Sequence, residues 1–351
     1  MTGIHDIIRR YKRQRDNRYL SNRYEKNYAM IGFGNHTIHN LFPIIQYLQI
    51  PVKYIGCSSM RKAELIGQKF QGIIGTTSIE EILHDDTIAG VFVSATPVSH
   101  FNIATQVIQS GKSLFIEKPP CMSLNELNRL IEQQERCGGH TTFVGLQKRY
   151  SPLTAKLKKE LGKTAIYSYD LHYRTGLYPE GDEFYDLFIH PVDLAISLFG
   201  EGRILAAKKI QSKKKGGVTF LLMLEHGNTI GTLELSTLYS WQNASESLHI
   251  NTLVGTYDVE QMEKLTFTPS ARALGAIPLE KVIPVHPLKE FLFIRNNFNP
   301  ILANNQIFTQ GYFNELKMFA DTIEGKRKPD AQTGFASLRP AYRILEELKK
   351  R

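Results

Sequence analysis

Residues 27–36, NYAMIGFGNH, decide the fold class of this chain, because a short apolar run leads directly into a turn with two glycines. Gly32 permits a tight turn at the end of a strand, and Gly34 lets the backbone approach a pyrophosphate at the N-terminus of the following helix. Thr37 stands where a third glycine or an alanine usually allows close helix–strand packing, so the fingerprint is incomplete. The pattern predicts a dinucleotide-binding turn made of Gly32, Gly34, Asn35, His36 and Thr37.

Residues 28–150 continue from this turn as an alternation of short apolar runs and helix-like segments. The runs YAMIGFG, VKYIGCS, GVFVSATP, SLFIEKP and TTFVGLQ are typical of strands that are buried on both faces. Ser123 is followed three residues later by Glu126, which predicts a capped helix start. The alternation therefore predicts an α/β dinucleotide-binding domain with a parallel sheet, a Rossmann domain.

Residues 151–351 have a different pattern, in which helical segments accompany alternating apolar and polar runs such as GVTFLLMLEHG and NTIGTLELS. This pattern predicts a C-terminal α+β domain with a mostly antiparallel open sheet, which would bind substrate and carry subunit contacts. Residues 269–310 hold several prolines and asparagines and predict an irregular excursion. Two helical segments close the chain, and we expect that they can pack back on the first domain.

The composition disfavours several classes of protein. Of the 351 residues, 42% are apolar and 22% are charged, as in globular proteins. No run approaches the roughly 18 consecutive apolar residues of a membrane helix. Cys57, Cys121 and Cys137 lie far apart and form no CxxC pair, so we expect no metal site and a reducing compartment. The polar N-terminus shows no export signal, which makes a cytoplasmic location the expectation.

The net charge of +9 is uneven, because residues 1–27 hold eight Lys or Arg against three acids. Helical spacing separates the apolar residues of this extension, Ile4, Ile7, Ile8 and Tyr11, and predicts a basic helix. No zinc-finger or helix-turn-helix pattern accompanies it, so nucleic-acid binding is disfavoured. We expect the extension to dock on a partner subunit or on the second domain of its own chain.

The end of the second strand bears on the choice of cofactor. An enzyme that prefers NAD commonly has an acid about 20 residues past the glycine turn, where it holds the ribose 2′-hydroxyl. No Asp or Glu occurs between Glu25 and Glu64. Hydroxyl and cationic groups follow the strand instead: Ser58, Ser59, Arg61 and Lys62. These groups predict NADP in preference to NAD, but the two cations are also consistent with a solvated helix start, so NAD stays open.

Three further segments carry a resemblance to a known family. The first is SATPVSHFNIATQVIQSGKSLFIEKP, with a T-P-x-x-x-H helix start and an E-K-P strand end; the second is DLFIHPVD, of the form D-x-x-x-H-x-x-D; the third is FNELKMFADTIEGKRKP near the end of the chain. Together they resemble the Gfo/Idh/MocA family of oxidoreductases, named after glucose–fructose oxidoreductase and inositol dehydrogenase. The resemblance covers about residues 28–350.

The resemblance implies a Rossmann domain followed by a domain whose open antiparallel sheet often serves oligomerisation, and hence a homo-oligomer, either dimer or tetramer. It implies that Lys118 lies beside the nicotinamide and the reacting carbon, that His190 is the acid/base group and that Asp186 assists it. It also implies a set of residues that line the cofactor: Ser94, Ala95, Thr96, Pro97, His100, Glu117 and Lys118.

The chemistry of these residue types agrees with the resemblance. Asp186 and His190 stand four residues apart and share one helical face, where a carboxylate can orient the imidazole ring. An imidazole with an ordinary pKa of about 6.5 can take or return a hydroxyl proton near neutrality. Lys118 follows a parallel strand at its carboxyl end, where its cation can polarise the oxygen on the reacting carbon. The residue pattern alone equally allows His190 to be a buried structural histidine.

The substrate contacts follow from position along the chain. Arg149 lies at the end of the first domain and Tyr173 on the first strand of the second, and both places should face the cleft between the domains. We expect them to bind substrate together with the catalytic set, Lys118, Asp186 and His190. The alternative is that they are interface or surface groups. Gln147 and Lys148 stand where many family members carry Asn-Arg, which puts the substrate contacts in doubt.

The sequence thus predicts an NAD(P)-dependent oxidoreductase that transfers a hydride between nicotinamide and a secondary alcohol or ketone carbon. A sugar, a polyol or a nucleotide sugar would be the substrate. One alternative is an NAD-dependent glycosidase that oxidises a ring carbon transiently and recycles its cofactor. The other is a non-catalytic dinucleotide-binding regulator or partner subunit, against which the set of Lys118, Asp186 and His190 speaks.

Overall fold

The computed structural model describes residues 2–212, 216–271, 273–275, 277–284, 288–299 and 301–351. Of the predicted basic extension, position 1 is outside the described residues. Within the predicted irregular excursion over 269–310, positions 272, 276, 285–287 and 300 are outside the described residues.

The first domain is a six-stranded parallel sheet with helices on both faces. Its strand order is β3-β2-β1-β4-β5-β6, which is the order of a dinucleotide-binding Rossmann sheet. The elements are α1 Thr2–Ser21, β1 Asn27–Ile31, α2 Phe42–Leu48, β2 Val52–Gly56, α3 Met60–Lys69, β3 Ile74–Thr76, α4 Ile79–His84, β4 Ile88–Val93, α5 Pro97–Gln109, β5 Ser113–Glu117, α6 Leu124–Arg136 and β6 Thr142–Gly145. The predicted parallel sheet is confirmed.

The second domain is built on an eight-stranded sheet of order β16-β13-β12-β11-β7-β10-β9-β8. Strands β7 and β10 pair in parallel, and the other neighbours are antiparallel, which confirms a mostly antiparallel sheet. The elements are α7 Pro152–Leu161, β7 Ile166–Arg174, α8 Ile189–Phe199, β8 Arg203–Gln211, β9 Val218–His226, β10 Thr229–Ser236, β11 Ser245–Thr252, β12 Gly255–Glu260, β13 Lys264–Pro269, β14 Ala273–Leu274, β15 Ile277–Pro278, β16 Glu290–Ile294, α9 Gln306–Thr309, α10 Tyr312–Ile323 and α11 Arg339–Lys349.

The closing helices pack back across the first domain. Phe319 of α10 lies in an aromatic cluster of the parallel sheet, with ring centroids 5.1 Å from Phe92 and 5.6 Å from Phe143. On the other face, Tyr342 of α11 is fully buried and donates to the carbonyl of Cys121 at 2.7 Å. The two domains therefore share a core, because burial of these aromatic rings contributes to both of them.

Two local predictions can be compared with the geometry. Ser123 caps α6, since its hydroxyl accepts from the backbone N–H of Glu126 at 3.2 Å, while the Glu126 carboxylate accepts from Met122 N–H. The basic extension forms α1 as predicted, but its apolar residues stay exposed; Ile4 is 70% exposed and Ile7 67%. The expectation that α1 docks on the second domain of its own chain is therefore wrong for this structure. Among the described residues, no helix has the length and apolar character needed to cross a membrane.

Candidate functional site

The glycine turn after β1 is shaped by one position that only glycine fits. Gly32 has φ of +93°, and a Cβ atom there would lie 2.2 Å from the carbonyl oxygen of Ser94. The backbone of Gly32, at the end of β1, therefore lies close against the backbone of Ser94, at the end of β4. Gly34 differs, because a Cβ atom there would meet nothing within 4 Å. The glycine at position 34 therefore leaves space beside the turn that a ligand can occupy.

That space is part of a cavity of about 590 Å³ at the carboxyl ends of β1, β2 and β4. Among the predicted cofactor residues, it is lined by Gly32, Gly34, Asn35, His36, Thr37, Ser58, Ser94, Ala95 and Thr96. Polar residues that were not predicted also line it: Cys57, Thr77 and Ser99. Its position is where open α/β sheets bind dinucleotides.

Thr37 explains how the turn tolerates the absence of a third glycine. Its side chain is fully buried, and its hydroxyl donates to the carbonyl of Gly32 at 3.3 Å. The hydrogen bond satisfies the buried hydroxyl and ties the helix start to the turn. A small polar residue at this position therefore replaces the close glycine contact.

The second-strand residues differ in part from the prediction. Ser59 caps α3, since its side chain accepts from the backbone N–H of Lys62. Arg61 is exposed and does not line the cavity, whereas the half-buried Lys62 does. Ser58 and Lys62 thus supply a hydroxyl and a cation to the cavity wall, and cofactor contact by Ser59 and Arg61 stays a prediction.

His100, which the resemblance implies as a cofactor residue, lies behind the cavity wall in this structure. It is 1% exposed, and its ring nitrogens lie 2.8 Å from the Pro119 carbonyl and 3.0 Å from the Ala95 carbonyl. Burial lowers the pKa of His100, the two carbonyl contacts and the Glu117 charge oppose this shift, and the ring joins two loops. Pro97, the first residue of α5, also does not line the cavity.

Lys118 lies between the two domains, at the end of β5. Its ammonium donates to the backbone carbonyl of Asp186 at 2.7 Å. A π-helical turn over Glu183–Phe188 precedes α8 here, and Pro191, five residues after Asp186, has no N–H for that carbonyl. The carbonyl thus accepts from Lys118 and fixes the ammonium in the cleft.

The expected pairing of Asp186 with His190 does not occur within the described part of the chain. The Asp186 carboxylate accepts from the backbone N–H of Asp182 at 3.0 Å and is buried. The π-helical turn changes the helical phase, so spacing of four residues does not bring the two side chains together. In this structure Asp186 contacts Lys118 through its backbone carbonyl, and assistance of His190 by its carboxylate stays a prediction.

His190 lies in the same cleft under the influence of several cations. Burial lowers the pKa of His190 well below its usual value, and Lys118, Lys148 and His36 lower it further. The imidazole is therefore neutral near pH 7 and can accept a proton. Lys118 is itself affected, because burial lowers the pKa of its ammonium.

Arg149 is engaged within the protein. Its guanidinium forms a buried two-armed ion pair with Asp193 and donates to the carbonyl of Gln332 at 2.7 Å and to the Ser337 hydroxyl at 2.9 Å. A substrate contact through Arg149 stays a prediction, although these partners engage its guanidinium in this structure. The ion pair joins the end of the first domain to α8 and to the closing segment.

Lys148 and Tyr312, which were not predicted as site residues, face the cleft with Tyr173. Lys148 pairs with Glu246 at 2.6 Å and lies 5.0 Å from the centre of the Tyr173 ring. The Tyr312 hydroxyl accepts from the Gln147 side chain at 3.2 Å. Gln147 and Lys148, which stand where many family members carry Asn-Arg, make these contacts.

Glu315 was also missed, although it lies beneath the site. It is fully buried, and although the backbone N–H of Leu146 lies nearby, neither carboxylate oxygen has a hydrogen bond of good geometry among the described residues. Glu117 is close by. Its carboxylate oxygen Oε1 lies 3.4 Å from Nε2 of His36. Burial, and then the Glu117 charge, raise the pKa of Glu315 well above its usual value. Burial therefore favours the protonated form of Glu315.

Replacing Glu315 by Gln should stabilise the protein at pH 7.5, because the amide cannot ionise. The folded-state pKa is raised above the unfolded value, so the stability that Glu315 contributes is fully present below about pH 4.5 and is lost as the pH rises above it. We expect a gain of about 1–3 kcal/mol in the free energy of unfolding at pH 7.5, measured by urea unfolding, and little gain at pH 4.5. Glu347→Gln, at an exposed ion pair with Arg351, is the control. A pH-independent difference would contradict the assignment.

The model of an oxidoreductase family with an NAD-binding Rossmann fold, Gfo/Idh/MocA, matches residues 26–145. The putative oxidoreductase YceM of Salmonella typhimurium is 28% identical over 180 residues, which are 50% of this chain and 57% of the relative. Inositol 2-dehydrogenase of Salmonella typhimurium is 24% identical over 129 residues, 34% of this chain and 38% of the relative. The alignments thus span about half the length of these curated relatives or less.

Both domains have the fold of a solved structure. The 3-ketoreductase KijD10 from Actinomadura kijaniata, in complex with NADP, matches with a TM-score of 0.70 over 93% of this chain and 97% of that one, at 14% identity. In the described ranges, no group of three or more His, Cys, Asp or Glu residues could hold a metal ion. The match of the Gfo/Idh/MocA model to residues 26–145, the dinucleotide-binding domain, agrees with the family predicted from the motifs.

Proposed function

We propose that this protein is an NAD(P)-dependent oxidoreductase that interconverts a secondary alcohol and a ketone on a sugar, a polyol or a nucleotide sugar. The observation that carries the proposal is the cleft in which Lys118 and the neutral His190 lie together, next to the cavity of the glycine turn. The inositol dehydrogenase among the relatives supports a polyol-like substrate. These two side chains supply the electrophilic and the basic group that alcohol oxidation requires.

The dinucleotide fits the cavity, because Gly34 leaves open space at the turn and a helical segment follows it. Bound there, the nicotinamide ring would accept or donate the hydride. In alcohol oxidation, the neutral His190 imidazole takes the hydroxyl proton. The Lys118 ammonium stabilises the negative charge that develops on the oxygen, and its bond to the Asp186 carbonyl keeps it in place.

The activity is tested by absorbance at 340 nm with a panel of secondary alcohols: hexoses, inositols and nucleotide sugars. We expect reduction of the dinucleotide with at least one of these classes. A glycosidase with a recycled cofactor would cleave a glycoside without any net change at 340 nm, which would contradict the proposal.

We also propose that NADP is the preferred cofactor. The Lys62 ammonium and the Ser58 hydroxyl line the cavity after β2, and no acid stands there to hold an unphosphorylated ribose. Lysine binds phosphate as a point charge, so it suits a 2′-phosphate. The NADP complex of the structurally similar ketoreductase is compatible with this choice.

Lys62→Gln should weaken NADP binding by about tenfold, because one charge-assisted contact is lost, and should leave NAD binding within about twofold. Calorimetric titration of both dinucleotides measures the difference. Arg61→Gln is the matched control, since this neighbouring side chain is exposed and outside the cavity. Equal losses for NAD and NADP, or a larger loss in Arg61→Gln, would contradict the role of Lys62.

A homo-oligomer is the remaining proposal, and the open face of the eight-stranded sheet supports it. Large apolar side chains lie exposed on neighbouring strands of this sheet: Ile210, Leu221, Met223 and Ile230 are each 39–48% exposed. Exposed apolar patches of this kind commonly mark subunit contacts.

A further inference from the structure

A second cavity, of about 470 Å³, lies between α7, α10 and the segment that leads into α11. It shares no lining residue with the cavity of the glycine turn. The lining residues that matter here are Tyr150, Lys158, Asn314, Lys317, Arg327 and Asp330. The cavity is large enough for a small metabolite, and none of its side chains takes part in the proposed reaction.

Lys158 is the main unbalanced charge of this cavity. Its side chain is half-buried, and within the described residues its ammonium makes no hydrogen bond or ion pair. Burial and the neighbouring Arg149 cation lower the pKa of Lys158. On the same helix, Lys156 differs because it pairs with Glu160 at 2.9 Å. A half-buried ammonium without an acceptor is costly, and an anion bound beside it would remove that cost.

The other charges that line the cavity are mostly neutralised in pairs. Arg149 pairs with Asp193, and Lys317 pairs with Asp321. Arg327 is exposed, and in the described part of the chain its guanidinium makes no side-chain ion pair. Two cations, Lys158 and Arg327, therefore remain against one acid, Asp330.

The remaining polar groups can be assigned in the same way. The Asp330 carboxylate already accepts from the backbone N–H of Gln332 at 2.9 Å. The Tyr150 hydroxyl has no hydrogen-bond partner among the described residues, and burial raises the pKa of this phenol, so it is a neutral donor. The cavity therefore offers an ammonium, a guanidinium and a hydroxyl, all of which donate.

We propose that this cavity binds a small oxyanion, a metabolite with a carboxylate or phosphate group, held by Lys158 and Arg327 with the Tyr150 hydroxyl as a further donor. The site is separate from the dinucleotide cavity and stands independently of the proposed reaction. The anion balances the two cations, and the volume leaves room for a body of sugar size beside the charged group.

Calorimetric titration with inorganic phosphate and, separately, with acetate tests the site on the full chain at constant ionic strength. We expect wild type and Lys159→Gln to bind at least one of the two anions, and Lys158→Gln to bind it at least about tenfold more weakly. Lys159 is exposed on the same helix and outside the cavity, which makes it the matched control. The anion that binds more tightly shows whether phosphate or carboxylate is the ligand class.

Arg327→Gln is the second variant, because this exposed side chain can change without loss of folding. It should also weaken binding of the anion. Equal binding by wild type, Lys158→Gln and Arg327→Gln would overturn the proposal, since the anion would then lie elsewhere, for example in the dinucleotide cavity. Absence of binding by the wild-type protein to both anions would overturn it as well.

Discussion

Replacing Lys118 by methionine is expected to lower kcat by roughly 10²–10³-fold, the usual cost of removing one preorganised group that stabilises developing negative charge. Methionine keeps the length and apolar stem of the side chain but has no charge and no donor for the Asp186 carbonyl. Dinucleotide affinity should stay within about threefold, because the glycine turn and Lys62 are unchanged. Steady-state kinetics and calorimetric titration measure the two quantities.

The stability of this variant separates catalysis from folding. Burial lowers the pKa of Lys118, so the folded protein holds a cation that it does not solvate well, and its removal should not lower the thermal midpoint by more than a few degrees. A folded Lys118→Met protein with wild-type kcat would rule out the proposed role. It would favour a non-catalytic dinucleotide-binding protein.

His190→Gln is expected to lower kcat/KM for alcohol oxidation by roughly 10²–10⁴-fold, the usual contribution of a positioned acid/base group. The amide occupies a similar volume but cannot take a proton. His249→Gln is a control, since that ring is exposed on the sheet and pairs with Asp258 at 2.7 Å. A loss in both variants, or in neither, would contradict a specific role of His190.

The pH profile follows from the electrostatics of the cleft. Because burial and the Lys118 and Lys148 cations lower the pKa of His190, the base is neutral at pH 7 and becomes protonated only in more acidic solution. The acidic limb of kcat/KM for oxidation should therefore lie below about pH 6.5 and should disappear in His190→Gln. Lys148→Met removes a cation, so it should raise the pKa of His190 and move the limb to higher pH.

The parts of the site that could be predicted are those that local chain geometry determines. Gly32 sits at a positive φ, a requirement that a single residue type reveals. The alternation of strands and helices predicts the parallel sheet, because crossovers place consecutive strands side by side with one handedness. Ser123 and Glu126 mark a helix start for the same local reason.

The contacts that the sequence did not predict involve partners far away in the chain or an irregular helix. Arg149 is occupied by Asp193 and Ser337, which lie 44 and 188 residues further on. Nothing in its immediate sequence shows that it is already paired. Spacing of four residues predicted that Asp186 orients His190, but a π-helical turn changes the phase between them. Spacing arguments assume regular helix geometry, and π-turns occur frequently at functional sites.

Two residues near the site could not be predicted from the motifs. Glu315 and Tyr312 belong to α10, which returns from the end of the chain to the first domain. In the sequence they read as polar positions of an ordinary amphipathic helix. Their burial arises only when α10 packs on the parallel sheet, where Glu315 meets the Glu117 charge.

Titration of NADPH and NADH into the wild-type protein and into Gly34→Val tests whether a dinucleotide binds on the glycine turn. A Cβ atom at position 34 meets no heavy atom within 4 Å, so we expect the ligand-free variant to fold and melt like wild type. The same side chain would fill the space for the pyrophosphate. We predict binding of one dinucleotide per chain in wild type and at least a hundredfold loss, roughly 2.7 kcal/mol, in Gly34→Val. Wild-type protein that binds neither dinucleotide, or a variant that binds as tightly as wild type, would contradict the account.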